Sequence, residues 1–245
     1  MGLVFFFKMK ISCSAKLNRL GRLIIVKKTL MLMLTLILVL SLLAACSVNK
    51  LDSTTDIPES KSSDFSNEYK KGTLTETEFE SEYLDLRFTP PEGFILLTED
   101  EMHATLGLGA EIVDLDPDLL EYAINTGIYE MMAVEATGKT SVFLFADKPM
   151  IIDITVEQHF EGLKYQLKRL TAAGVEYEIE DEIVSVEIAG QSYKQFTVSM
   201  VEHGENTVQK YFLRKVGNRI GGFVVSNTAD TEEFVDALMA GFTKF

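Results

Sequence analysis

"SYKQFTVSMVEHGENTVQKYFLRKVGNRIGGFVVSN", residues Ser192 to Asn227, is the stretch that decides the fold. Three β-rich runs, Ser192–Glu202, Thr207–Val216 and Ile220–Asn227, are punctuated by His203-Gly204 and Gly217-Asn218. Turns that short join neighbouring strands of opposite direction, so the stretch reads as an antiparallel meander. Two further runs lead into it, Val175–Glu180 and Ile183–Ile188, with Ala189-Gly190 as the next turn. In the first of these, Glu176, Glu178 and Glu180 alternate with Val175, Tyr177 and Ile179. That period of two places the acids on one solvated strand face. With Asp181 and Glu182 beside it, the same face is a candidate docking surface for cationic partners.

Working upstream, Thr155-Val156-Glu157-Gln158 has capping-box spacing and is followed by Phe160, Leu163, Leu167 and Leu170 at helical intervals, with Gly174 past the end. Glu130–Ala136 and Ser141–Asp147 read as a hairpin around Gly138-Lys139. A second capping box, Thr98-Glu99-Asp100-Glu101, opens a helix toward Leu106, and Asp116-Pro117 supplies the N-cap and first residue of another that stops near Gly127. Thr73–Phe79 and Tyr83–Phe88 are strand-like, and Pro90-Pro91-Glu92-Gly93 closes the second as a turn. A last helix, Thr231–Ala240, ends at Gly241 and leaves Phe242 and Phe245 to pack. No Pro/Ser linker interrupts Gly72 to Phe245, so residues 72–245 are expected to form one α+β domain: an antiparallel meander with helices packed on it.

Glu82 to Phe94, "EYLDLRFTPPEGF", resembles the opening Tyr…Phe…Pro-x-Gly-aromatic element of PsbP-like proteins. The long middle helix, the meander and the closing helix are similar to their α/β/α sandwich. The resemblance covers about Gly72 to Phe245 and implies a binding scaffold more often than an enzyme. Members of that fold include the extrinsic photosystem II subunit, a nuclear-import factor that binds a GTPase, and many bacterial lipoproteins. No site residue of that family carries over to this sequence.

The N-terminus gives an address. Basic Lys27-Lys28, the apolar run Leu30–Leu43 interrupted only by Thr35 and Ser41, and the small pair Ala44-Ala45 follow the order of a secretory signal. Leu43-Ala44-Ala45-Cys46 resembles the lipobox of bacterial lipoproteins, which implies cleavage between Ala45 and Cys46 and a diacylglyceryl thioether on Cys46. Two acyl chains, at roughly 0.8 kcal/mol per buried CH₂, hold a soluble domain at a bilayer where one chain exchanges. An uncleaved spanning helix is the alternative, since Thr29 to Asn49 carries no charge. Residues 1–45 are therefore expected to be a signal peptide, of which residues 1–25, ahead of Val26-Lys27-Lys28, read as an upstream extension. Residues 46–71, rich in Ser, Thr, Asp, Glu and Lys, read as a lipidated flexible tether. The expected location is the extracytoplasmic face of a bacterial cell membrane.

Charge limits the partners. The 245-residue chain carries a net −14, yet residues 1–45 hold seven basic residues and no acid, so the remainder has 16 basic against 37 acidic residues, a net −21. Such a surface repels phosphate backbones, and nucleic-acid binding is not expected. Catalytic signatures fail in detail. Gly138-Lys139-Thr140 lacks the first glycine of a phosphate loop, because Ala133 stands there and a strand follows, so it reads as a turn with a solvated lysine. Asp114, Asp116 and Asp118 alternate as in a calcium loop, but Leu119 and Asn125 occupy the positions of the required glycine and glutamate. His103, His159 and His203 are far apart and read as surface histidines; no metal, cofactor or nucleophile motif emerges. The expected function is a membrane-anchored envelope module that binds a protein or small ligand. A hydrolase assembled from sequence-distant residues would instead place a histidine and a carboxylate in one pocket, and a purely structural role would show an apolar patch without a pocket.

Overall fold

A computed structural model describes residues 69–112, 129–147, 154–171, 176–180, 182–202 and 205–245. The meander is present as read. Strands β7 (Glu176–Ile179), β8 (Val184–Ile188), β9 (Gln191–Glu202), β10 (Glu205–Val216) and β11 (Arg219–Thr228) pair antiparallel. β7 and β8 lie end to end along one edge of β9, against Val198–Val201 and Gln191–Gln195 respectively. Between β8 and β9, Ala189 and Gly190 both have positive φ, 53° and 73°, the geometry that lets a two-residue turn match strand twist.

On the other side β11 pairs with β6 (Thr140–Asp147), β6 with β5 (Tyr129–Glu135), and β5 with the short edge strand β4 (Phe94–Leu96). The result is an eight-stranded sheet in the order β4-β5-β6-β11-β10-β9-β7, with β8 also on β9. A separate four-stranded sheet has the order β1-β2-β3-β12, from β1 (Thr73–Leu74), β2 (Phe79–Ser81), β3 (Leu86–Phe88) and β12 (Phe242–Thr243).

Both faces of the large sheet are buried, and alternation sorts its side chains between two cores. On one face Met132, Val134, Phe143, Phe196, Val198, Tyr211 and Val224 meet Met102 and Leu106 of α1 (Glu99–Ile112) and Val156, Phe160 and Leu163 of α2 (Val156–Thr171). On the other face Val142, Leu144, Tyr193, Phe212 and Phe223 meet the small sheet and α3 (Glu233–Ala240), through Phe79, Phe88, Phe242, Val235 and Leu238. Rings form a column there: Phe223 stacks on Phe212 at 4.8 Å and on Phe242 at 4.2 Å, and Phe242 leans on Phe88 at 4.7 Å.

The fold is thus mixed α and β, but mainly antiparallel sheet. It departs from an α/β/α sandwich because, among the described residues, one outer layer is largely a second sheet with the short α3 beside it. Both capping boxes form: Thr98 N–H reaches Glu101 at 2.9 Å with the return bond at 3.3 Å, and Thr155 N–H reaches Gln158 at 2.9 Å with the return at 3.2 Å. Thr73–Phe79 is not one strand. Thr75 N–H donates to the Glu78 carbonyl at 2.9 Å, and its hydroxyl accepts from Glu78 N–H, so the chain reverses there and β1 and β2 make a hairpin. Tyr83–Phe88 shortens to Leu86–Phe88 because turns occupy its first half, with Asp85 at φ 46°. Phe242 is buried, but Phe245 is half exposed rather than packed. The Asp116–Gly127 helix and Asp114 lie outside the described residues. Among the described residues no helix is long and apolar enough to cross a membrane.

Candidate binding cleft

β4 ends the large sheet and β1 ends the small one, and the two edges border a cleft. On either side of β4, Leu97 N–H donates to the Met132 carbonyl at 2.9 Å, and Ala136 N–H donates to the Gly93 carbonyl at 3.1 Å. Hydrogen-bonding direction alternates along an antiparallel strand, so the groups of Ile95 also point at β5 while those of Phe94 and Leu96 point away. Phe94 N–H is taken by the Pro91 carbonyl at 3.1 Å; the Phe94 carbonyl and both groups of Leu96 face outward. In β1 the bond from Thr75 to Glu78 sets the same alternation, so Gly72 and Leu74 turn their groups away from β2. Gly72 N–H does so toward the large sheet, donating to Glu130 Oε2 at 2.9 Å.

The cleft holds about 860 Å³, within the range of ligand pockets. Leu74, Phe94, Ile95, Leu96, Met102 and Val134 give it apolar surface. Its charged lining is Lys71 against Glu76, Glu99, Glu101, Glu130 and Glu135. At the mouth, Lys71 bonds Glu99, and this bond holds the Glu99 carboxyl below the usual carboxylate range. Ile95 stands 53% exposed at the rim, a large apolar side chain left in water.

At the inner end sits Glu130, 1% exposed. Burial raises its pKa above the ordinary glutamate value, opposed by hydrogen bonds from the Tyr69 hydroxyl at 2.6 Å and from Gly72 N–H. Burial, and then the bond to Glu130, push the Tyr69 hydroxyl up, so it stays a donor. The Tyr69 ring meets Tyr83 edge-on at 5.2 Å, and the Arg219 guanidinium lies 3.7 Å over its face. Arg219 in turn donates to the Ala146 carbonyl at 2.8 Å. Tyr69 and Lys71, which composition assigns to the tether, are therefore packed against the domain.

The sequence-derived candidates fall elsewhere. Ala45, Cys46 and His203 lie outside the described residues. His159 is not a surface residue: it is 2% exposed, because helical spacing puts it on the same face as Val156 and Leu163. Burial depresses its pKa to about 4, and its Nδ1 has no hydrogen-bond partner. His103 is partly exposed, with Nε2 4.0 Å from Glu99. Among the described residues no group of three or more His, Cys, Asp or Glu could hold a metal ion. Lys139 is in the expected turn, where Gly138 has φ 79°, but it pairs with Asp230 at 2.7 Å instead of standing free in solvent. Glu178 and Glu180 are exposed while Tyr177 and Ile179 pack inward, as their alternation requires. No histidine, cysteine or serine is among the described residues lining the cleft.

No protein-family profile matches the chain, and no curated protein matches it. Among solved structures, the chain is similar to cyanobacterial PsbP (CyanoP) from Synechocystis sp. PCC 6803, determined in solution, at 10% identity over 71% of this chain and 95% of that one, with a TM-score of 0.42. It is also similar to the Ran-binding protein Mog1p of Saccharomyces cerevisiae, at 11% identity over 70% of this chain and 96% of that one, with a TM-score of 0.34.

Sequence reasoning passed over Tyr69, Glu130 and Arg219. One signal was available: in "IYEMMAV" a glutamate interrupts a run whose every other side chain is suited to a strand buried on both faces. A buried carboxylate requires donors, and their source, a tyrosine 61 positions earlier, is not visible from local pattern.

Proposed function

We propose that the protein is an extracytoplasmic lipoprotein, cleaved before Cys46 and anchored there by acyl chains, whose domain binds a protein or small ligand in the cleft between β1 and β4. The observation that carries the binding half is the cleft itself: open strand edges, apolar side chains and an excess of carboxylates converge on one preformed cavity. The anchoring half rests on the order of the Lys27-Lys28, Leu30–Leu43 and Leu43-Ala44-Ala45-Cys46 segments. We also read the domain as PsbP-like. Support comes from the Tyr83-to-Phe94 element, which runs from the small sheet into edge strand β4, and from the long α2 leading into the meander. The histidine–carboxylate pair that the hydrolase alternative calls for is not among the described residues lining the cleft.

Cells grown with labelled palmitate are expected to label the wild-type protein and not Cys46→Ser. Absence of label on the wild type, or label that persists in Cys46→Ser, refutes the anchor. For the cleft, membranes probed with wild-type bait and with Ala136→Trp, which fills an exposed lining position, are expected to yield a partner or native-mass ligand with the wild type alone. Equal recovery by both baits, or none by either, overturns the binding role.

A further inference from the structure

We propose that the occupant of this cleft is an extended, lysine- or arginine-bearing segment of another protein, which adds as a strand to β4 and bridges the two sheets. The inference rests on the binding reading above and specifies its ligand class. Three observations carry it. First, the groups that an added strand needs are in place: the Leu96 N–H and the Phe94 and Leu96 carbonyls on one wall, and the Leu74 backbone, turned away from β2, on the other. β4 is the terminal strand of its sheet and β1 of its own, and no strand pairs with either open edge among the described residues.

Second, side-chain surface exists for both faces of an added strand. Ile95, exposed at the rim, together with the partly buried Leu74 and Leu96, offers apolar contact to alternate residues. Third, the charge selects the partner. Of the charged residues that line the cavity, Glu130 and Glu135 are buried and Lys71 is bonded to Glu99, which leaves the Glu76 and Glu101 carboxylates without a cationic partner there. Glu76 is exposed beside the end of β1, where a cationic side chain of the incoming strand would meet it. The segment preceding Tyr69 in this chain is the wrong occupant on the same ground: residues 47–68 carry five acids and two lysines.

The test selects a phage-displayed random heptapeptide library on the full chain in detergent micelles. The chosen peptides are then synthesised with and without backbone N-methylation at their central residues. Peptides alternating apolar residues with Lys or Arg are expected, losing tenfold or more in affinity on central N-methylation and several-fold on Glu76→Lys. Leu96→Pro is expected to match the N-methylation loss, because it removes an outward N–H while leaving the Ile95 bonds to β5 in place. The N-methylated peptides keep the test valid if that variant does not fold. Failure to enrich any peptide, enrichment of acidic ones, or affinities unmoved by N-methylation and by Leu96→Pro overturn the proposal. Peptides insensitive to N-methylation but excluded by Ala136→Trp overturn strand addition and leave the cleft as a binding site. Peptides that bind Ala136→Trp as well as wild type overturn the cleft reading itself. Selected sequences that match this chain's own residues exclude a foreign partner.

Discussion

A buried ionisable side chain ties stability to pH, and His159 does so from the buried face of α2. The unfolded chain protonates such a histidine near its ordinary value of 6.5, whereas the folded protein resists protonation until about pH 4. Between those values the unfolded state binds more protons, so stability is complete above pH 6.5 and is lost as pH falls. The loss should reach on the order of 3 kcal/mol at pH 4 relative to His159→Leu, read by urea denaturation of both proteins across this range. A wild-type curve that parallels His159→Leu would show the imidazole to be solvated. Tyr69 works through a hydrogen bond to a buried charge. Tyr69→Phe keeps the ring against Arg219 and Tyr83 but leaves Glu130 with one donor fewer, and is expected to destabilise by about 1.5–3 kcal/mol in the same assay at neutral pH.

Elements form where local chemistry and burial agree. Gly222, in the middle of β11, shows how closely two strands and their side chains pack. A Cβ there would lie 2.1 Å from the Phe212 carbonyl oxygen and 2.7 Å from Leu213 Cδ2. Gly222→Ala must therefore spread β10 from β11 beneath two cores, and a loss of about 3 kcal/mol or more in thermal or chemical denaturation is expected. The neighbouring strands β9, β10 and β11 were legible because each is long and β-rich and the segments between them carry glycine. Helices α1 and α2 were legible from Thr98 and Thr155 with their partners three residues on. Edge strand β4 was not, because three residues, Phe94–Leu96, give alternation too little length to register. The small sheet was half legible: Thr75 and Glu78 make a turn without glycine, asparagine or proline, so its hairpin looked like one strand. The cleft escaped the sequence altogether, since its walls join residues 71–76, 94–102 and 130–136 through tertiary contact alone.

At the scale of the whole molecule, charge sets solubility and opposes compactness. The chain beyond residue 45 carries a net −21, and mutual repulsion among its carboxylates is long-ranged at low ionic strength. Screening falls from about 30 Å at 0.01 M salt to about 3 Å at 1 M, so the melting temperature is expected to rise by several degrees between those limits in calorimetry. A flat or falling trend would mean that local ion pairs such as Lys139–Asp230 and Arg87–Glu80 outweigh the net repulsion. The same charge is distributed unevenly over the two ends of the large sheet. At one end β4 offers free backbone groups beside a cavity. At the other, β7 and β8 lie in line along β9 with a break between them, and Glu178, Glu180, Glu182 and Glu187 stand exposed there. An interrupted, like-charged edge is a poor template for a second copy of itself. Wherever copies crowd side by side, that margin keeps them from zipping into ribbons, and the two flanks of the large sheet differ in kind: one leaves backbone groups open, the other turns neighbours away.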